Sequence, residues 1–405
     1  MRTVVFVAPF PMITTTFKFA RALAGLRNVR LVGVFQEPPH GDGLKVFDDF
    51  VTVSDALDVR KLIQGVALLK QKYGPPHRIV GVLENLQVQV AQLREHFGIP
   101  GADAATAERF RDKNHMKDEL RRHGIPCARH QLVTSDAEAW AFVRDVGFPI
   151  VLKPPAGAGC LATYRVDSAE QLTGVLREVR ASPQRPTLAE EFLTGEEHSF
   201  ETITIGGQPR FHSISRYLPT PLEVTRNSWI QWCVLLPRDI SGPAYDLPRQ
   251  VGYDVVRKLG LDAGFTHMEW FRRPNGTVAV GEIAMRPPGA QIVTLTSLAH
   301  DADMYRAWAR AVVDDAFDGP YERKYAVGCA FLRGTGAGRV ARIDGIDETN
   351  QAVGHLVVEA KLPTVGAPKS SSYEGDGYAI VRHPNTEVVQ QALKKIIETV
   401  RVRYQ

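Results

Sequence analysis

Thr266-His267-Met268-Glu269-Trp270-Phe271 leads through Arg272-Arg273-Pro274-Asn275-Gly276 into Thr277-Val278-Ala279-Val280-Gly281-Glu282-Ile283-Ala284-Met285-Arg286. Both arms are rich in β-branched and aromatic residues, and Pro-Asn-Gly is turn chemistry, so the stretch reads as a β-hairpin. With Arg273 facing Gly276, Glu269 stands opposite Val280, and Glu282, two residues on, shares their face. The two carboxylates are then diagonal neighbours, roughly 7–8 Å apart, close enough to share one or two magnesium ions. A turn with one residue more would break this register. Like charges on one sheet face more often mark a solvated surface where water screens them. A site is favoured here by Arg286, which shares the face of Glu282 by parity, and by Pro287-Pro288-Gly289-Ala290, a tight turn whose glycine allows close backbone approach to a ligand. Two metal-binding acids and an arginine aimed at one spot suit transfer of a phosphoryl group.

Upstream, Val151-Leu152-Lys153-Pro154-Pro155-Ala156-Gly157-Ala158-Gly159-Cys160 is a buried strand delivering a lysine into a loop of small residues. Small residues let backbone N–H groups close over phosphate oxygens, and the lysine supplies a point charge. The GxxxxGK[ST] order is absent, so this is not a Walker loop, and alone it would read as a surface loop. Between the two lies Leu188-Ala189-Glu190-Glu191-Phe192-Leu193-Thr194-Gly195-Glu196-Glu197, an acidic run that by itself implies only solvent exposure.

The rest of the chain sets the frame. Short β-branched runs at 4–7, 31–34 and 79–83, separated by a helical stretch at 17–26, imply a parallel sheet and an α/β opening unit to about residue 105. No GxGxxG follows the first strand, so a dinucleotide fingerprint is missing. A helix is expected over residues 105–123, stopped by Gly124-Ile125-Pro126. Strands are expected at 148–152, 199–205, 325–332, 340–343 and 355–360, and helices at 168–179 and 387–403, with Gly319-Pro320 as a boundary. The 405 residues suit two or three domains. At 44% hydrophobic and 23% charged, the composition excludes a disordered or fibrous chain. The 49 Lys+Arg against 45 Asp+Glu give a net charge of +4 with no basic tail, which argues against a nucleic-acid binder. Cys127, Cys160, Cys233 and Cys329 form no CxxC pair and are expected as reduced thiols in a cytoplasmic protein. Pro9 and Pro11 break the N-terminal apolar run and Lys18 and Arg21 follow, which fits strand, loop and helix better than a signal peptide; no 18-residue apolar run suggests a membrane span.

In this order the blocks resemble the ATP-grasp superfamily, over roughly residues 1–400. The resemblance implies an α/β (α+β overall) ATP-grasp fold: an N-terminal parallel-sheet pre-grasp domain (1–105), a central nucleotide-binding grasp domain (106–317) and a C-terminal mixed-sheet domain (318–405) completing the cleft. Arg111-Asp112-Lys113-Asn114-His115-Met116-Lys117 resembles the segment of the first nucleotide-binding lysine, with Lys113 at the functional position, and Lys153 matches the second. Ala156, Gly157, Gly159 and Cys160 fall in the loop that covers the phosphates. Glu190, Glu191, Phe192 and Leu193 look like the hinge that meets adenine, largely through backbone, and Glu197 falls where the family holds the ribose hydroxyls. Glu269 and Glu282 match the magnesium ligands and Arg286 the arginine that steadies the transferred group. The family usually reads Glu-x-Asn-x-Arg here; this chain has Glu282-Ile283-Ala284-Met285-Arg286, without the amide ligand of the second ion.

The resemblance further implies ATP and one or two magnesium ions as cofactors, and an ADP-forming ligase that joins a small-molecule carboxylate to an amine through an acylphosphate, as in the L-amino acid ligases. It implies neither nucleic-acid nor membrane partners and leaves room for a homodimer. A carboxylase acting on bicarbonate and a non-catalytic nucleotide-binding module are the alternatives; both lysines, both glutamates and Arg286 weigh against the latter. Arg216, Arg226 and Gly289, with Trp229 and Trp232, are the candidates on the substrate side, although core tryptophans beside surface arginines explain the segment equally well.

Overall fold

The β-branched runs near the N-terminus pair in parallel, in the order Asp49–Thr52, Val29–Phe35, Arg2–Ala8, Arg78–Val80, because each crossover carries a helix or turn that returns the chain to the same end. The computed structural model describes residues 1–157, 162–227, 230–372 and 374–405. Two faces of this first sheet are covered, by the helices Val59–Tyr73 and Gln87–Phe97 on one side and by Thr14–Ala24 and Met304–Asp314 on the other. A small antiparallel sheet follows, His130–Val133, Thr187–Glu191, Ile150–Lys153, Tyr164–Val166 in spatial order.

The largest sheet has eight strands: Val278–Ala284, Gly264–Arg272, Glu196–Ile205, Gln208–Leu218, Trp232–Leu236, Ala326–Leu332, Gly377–His383 and Val357–Lys361. It runs unbroken across residue 317, since Trp232–Leu236 pairs with Ala326–Leu332. The mixed α/β architecture is that expected from the sequence. Among the described residues no helix is long and apolar enough to cross a membrane.

Three local expectations are corrected. The helix over 105–123 is two helices, Ala104–Arg111 and Lys113–Arg122, broken at Asp112, whose carboxylate accepts the N–H groups of Asn114 and His115 at 2.8 and 3.0 Å. That cap makes Lys113 the first residue of its helix. The C-terminal helix ends at Thr399, and Arg401–Tyr404 is a strand paired with Val340–Asp344; its alternating exposed and buried residues have a strand's period.

The third correction concerns the hairpin. Arg273 N–H donates to Thr277 O at 2.9 Å and Gly276, at φ +80°, closes the loop onto Arg273 O, so the turn has three residues and Trp270, not Glu269, stands opposite Val280. Val280 and Trp270 face the core with Met116 and Leu120 of the helix Lys113–Arg122. An unbroken ladder would carry Glu282 into that core. Instead the register shifts between Glu269 and Trp270, so that Gly281 is the extra residue and Glu282 stands directly opposite Glu269. The two errors offset each other, and 282, 284 and 286 do share one face.

Candidate active site

The bulge that turns Glu282 toward Glu269 is held from the helix behind it. Val280 N–H donates to Pro126 O at 2.8 Å, and the Lys117 ammonium donates to Gly281 O in a short bond. Lys117 is one helical turn beyond Lys113 and wholly buried, at 0% exposure. It was not singled out from the sequence, although the four-residue spacing from Lys113 signals a shared face.

The front of the sheet opens on a cavity of about 980 Å³. Lys113, Lys153, Glu190, Glu197, Glu269, Glu282 and Arg286 all line it, so the structure brings together the lysines, acids and arginine that lie apart in sequence. Lys153 Nζ lies 3.0 Å from Glu190 and 3.9 Å from Glu282; Lys113 Nζ lies 3.4 Å from Glu282, and Lys117 Nζ 3.4 Å from Glu190. Burial opposes every one of these charges. Against that opposition, the Lys113, Lys153 and Lys117 ammoniums hold Glu282 down at about 2, and Lys117 and Lys153 likewise lower Glu190. Lys117 is pushed below the usual lysine range by its burial, whereas the two glutamates beside Lys153 raise that lysine. Glu197 has no such help: burial, with Glu269 and Glu282 across the strands, pushes its carboxyl well above the usual range.

Ala156 and Gly157 begin the small-residue loop, and their carbonyls are gathered by Arg111, which donates to both, and by Lys113, which donates to Gly157 O at 3.0 Å. Gly159 and Cys160 lie outside the described residues, as does Trp229. Glu191 lines the cavity, but its carboxylate is engaged by Arg129 at 2.8 Å and Arg273 at 2.5 Å, which ties the 190–193 segment to its neighbours. Phe192 lies under the Arg165 guanidinium, 4.2 Å from the ring centroid, with Leu193 beside it on the wall. Glu190 is likewise committed through its side chain, to the lysines.

On the far wall Arg286 donates to Glu84 Oε2 at 2.7 Å, and Glu84 also lies 3.9 Å from Arg111. Glu84 was not anticipated, sitting in a short loop helix with no motif around it. His267 was also missed. Its Nδ1 is 2.9 Å from Glu201 and its Nε2 3.8 Å from Glu269, and burial, which alone would lower it, is outweighed by these carboxylates, which raise it to about 9. It stands directly opposite Ala284. Of the substrate-side candidates, Arg226, Gly289 and Trp232 line the cavity, with Arg226 3.8 Å from Asp167. Arg216 does not line it: its side chain points to the other face of the sheet and pairs with Glu196 at 3.2 Å.

Two acids facing one another with three ammoniums behind them form a wall that can take polyphosphate and a divalent cation. Among the described residues no three His, Cys, Asp or Glu side chains converge as a metal cage. The facing carboxylates of Glu269 and Glu282 fit magnesium, which is commonly held by one or two carboxylates with phosphate and water completing its shell.

A model of the ATP-grasp domain matches residues 118–300. An "L-arginine-specific L-amino acid ligase" of Bacillus subtilis is 29% identical over 250 residues, 60% of this chain and 59% of that protein, so the match spans well under two thirds of the relative's length. Over 100% of this chain and 99% of the other, the fold superposes on an L-amino acid ligase from Bacillus licheniformis with a TM-score of 0.81 at 18% identity. A phosphoribosylglycinamide synthetase from Anaerococcus prevotii gives 0.73 at 15% identity, with both chains covered completely. The chain thus carries an ATP-grasp domain over residues 118–300; its fold superposes end to end on that of an L-amino acid ligase, and its ordered lysine and glutamate segments meet on one wall.

Proposed function

We propose that this chain is an ADP-forming carboxylate–amine ligase working through an acylphosphate. The observation that carries the reading is the convergence on one cavity of the facing Glu269 and Glu282, the lysines Lys113 and Lys153, and Arg286. An anionic carboxylate attacking an anionic phosphate needs a site that offsets both charges, and this wall supplies the cations. ATP would lie with its base against the hinge at 190–193, its ribose at Glu197 and its phosphates toward Lys113 and Lys153. Glu269 and Glu282 would hold magnesium, which when bound shields the phosphate charge. The loop begun by Ala156 and Gly157 would close over the phosphates, and residues 318–405 would complete the cleft beside the 1–105 and 106–317 units.

The reaction proceeds through two displacements. A carboxylate oxygen bonds to the γ-phosphorus as the bond to the β-phosphate oxygen breaks, releasing ADP. The amine nitrogen bonds to the acyl carbon, the bond from that carbon to the phosphate oxygen breaks, phosphate leaves and the nitrogen loses a proton. Arg286 keeps its guanidinium on the side where negative charge gathers during the first step, oriented by Glu84. The match to an L-amino acid ligase supports amino acids as substrates, and we place the protein in the cytoplasm, where ATP and free amino acids meet.

The test is ADP and phosphate release across pairs of amino acids, with bicarbonate as a separate arm and hydroxylamine to trap the acylphosphate as a hydroxamate. Release of ADP with a trapped hydroxamate supports the ligase. Stimulation by bicarbonate alone would make it a carboxylase, and formation of pyrophosphate would overturn the acylphosphate route.

A further inference from the structure

Glu374 reaches the cavity from a loop of the C-terminal segment, between the strands Val357–Lys361 and Gly377–His383. The loop is anchored: Asp376 N–H donates to Leu332 O at 3.1 Å, Ser370 N–H to the Asp376 carboxylate at 2.8 Å, and Gly375 packs where a Cβ would lie 2.5 Å from Leu332 O. Glu374 Oε1 accepts the N–H of Ala290 at 3.1 Å, on the turn that follows Arg286. Ala290 and Gln291 both hold a left-handed backbone, at φ +51° and +59°, and so aim that N–H at the carboxylate. Ala290 packs in one apolar cluster with Tyr217, Trp232 and Ile292, which also line the cavity.

Among the described residues Glu374 makes no ion pair, and Oε2 has no hydrogen-bond partner, yet burial is deep enough to push its carboxyl up. The contrast with Glu84, Glu190 and Glu282, each answered by Arg or Lys within the wall, is direct. A largely buried carboxylate at a ligand cavity with one backbone donor is incomplete until a cation arrives.

We propose that Glu374 is a specificity residue that seats a cationic group, an ammonium or guanidinium, of one of the two substrates. This rests on the ligase reading for the word substrate; the binding of a cation there does not. The cation stands either on the α-amino group or on a side chain, and the same contact serves both.

The experiment is equilibrium binding to the full chain with magnesium and a nonhydrolysable ATP analogue. The probes are L-lysine against L-norleucine, L-arginine against L-citrulline, and L-alanine against propionate. The proposal expects the charged member of at least one pair to bind at least about tenfold more tightly, the scale of a hydrogen bond to a charged group. A preference in the first two pairs places the cation on a side chain, and one confined to the third places it on the α-amino group. Glu374→Gln keeps the acceptor for Ala290 N–H and removes only the charge, so the preference should vanish while affinity for the ATP analogue stays. Glu374→Asp should keep a preference. Equal binding of both members in every pair, or an unchanged preference in Glu374→Gln, overturns the proposal even where ADP release upholds the ligase. Charge-dependent binding without ADP release by any pair would uphold it and overturn the ligase reading instead.

Discussion

On one part of the cavity wall Glu190 lies between Lys117 and Lys153, and Glu282 between Lys113 and Lys153; elsewhere on it Glu374 meets a single backbone N–H, that of Ala290, which itself packs with Tyr217, Trp232 and Ile292. The first arrangement is closed on itself. Its charges are matched before any ligand arrives, which holds the groups in place at the expense of having to exchange partners when phosphate binds. The second is open, and a ligand must complete it. A site that handles the same nucleotide in every turnover gains from the first kind of wall, and one that must discriminate among small molecules gains from the second.

The largest effect expected is on Arg286, which lines the same cavity as both. Arg286→Ala should lower kcat by about 3–4 kcal/mol of barrier while leaving nucleotide affinity near the wild type, because its charge matters where charge develops. Steady-state ADP release combined with analogue binding checks this; equal loss in both would move Arg286 to ground-state binding. Next is Lys117→Met, which removes one of the two cations at Glu190 and frees Gly281 O. We expect about 3 kcal/mol of lost stability in urea unfolding, together with a higher magnesium requirement as the bulge relaxes and Glu282 leaves its place opposite Glu269. Stability lost with magnesium dependence unchanged would separate the lysine from the register.

Ala284→Asn places an amide on the face proposed to hold magnesium, directly across from His267. It should shift the magnesium dependence of ADP release at saturating ATP to lower concentrations by a few-fold without abolishing turnover, and an unchanged curve would mean that His267 fills the space. The smallest effect expected is a pH dependence. His267 is raised in the folded protein to about 9 by Glu201 and Glu269 against its burial. Its contribution to stability is therefore fully present below the unfolded value of about 6.5 and is lost as pH rises through about 9. In magnesium-free unfolding, wild type should weaken across that window and His267→Gln should not; parallel curves would place the charge elsewhere.

The two regions also differed in how far the sequence revealed them. Lys153 ends a buried strand and the glutamates sit on a hairpin, so local patterns carried them, whereas Lys113 came only through the resemblance of the 111–117 segment, its Asp112 cap lying inside what reads as one helix. The facing of Glu269 and Glu282 was reached through a wrong register, because a three-residue turn and a bulge at Gly281 cancel in parity, and nothing local announces a bulge whose carbonyl is taken by a lysine far upstream. Arg216 misled because a strand carries every second residue to the other face. Glu84 and Glu374 lie in loops whose positions are set by the fold, and no spacing links them to the hairpin.

The central claim is that a substrate carboxylate takes the γ-phosphoryl group, and the direct measurement is oxygen transfer. The enzyme is given a carboxylate substrate labelled with oxygen-18 in its carboxyl group, with its amine partner and MgATP, and the released phosphate is weighed by mass spectrometry. The account predicts one labelled oxygen in the phosphate of each turnover, matched by an equal amount of ADP. Unlabelled phosphate, with the departing label found in AMP instead, would contradict it.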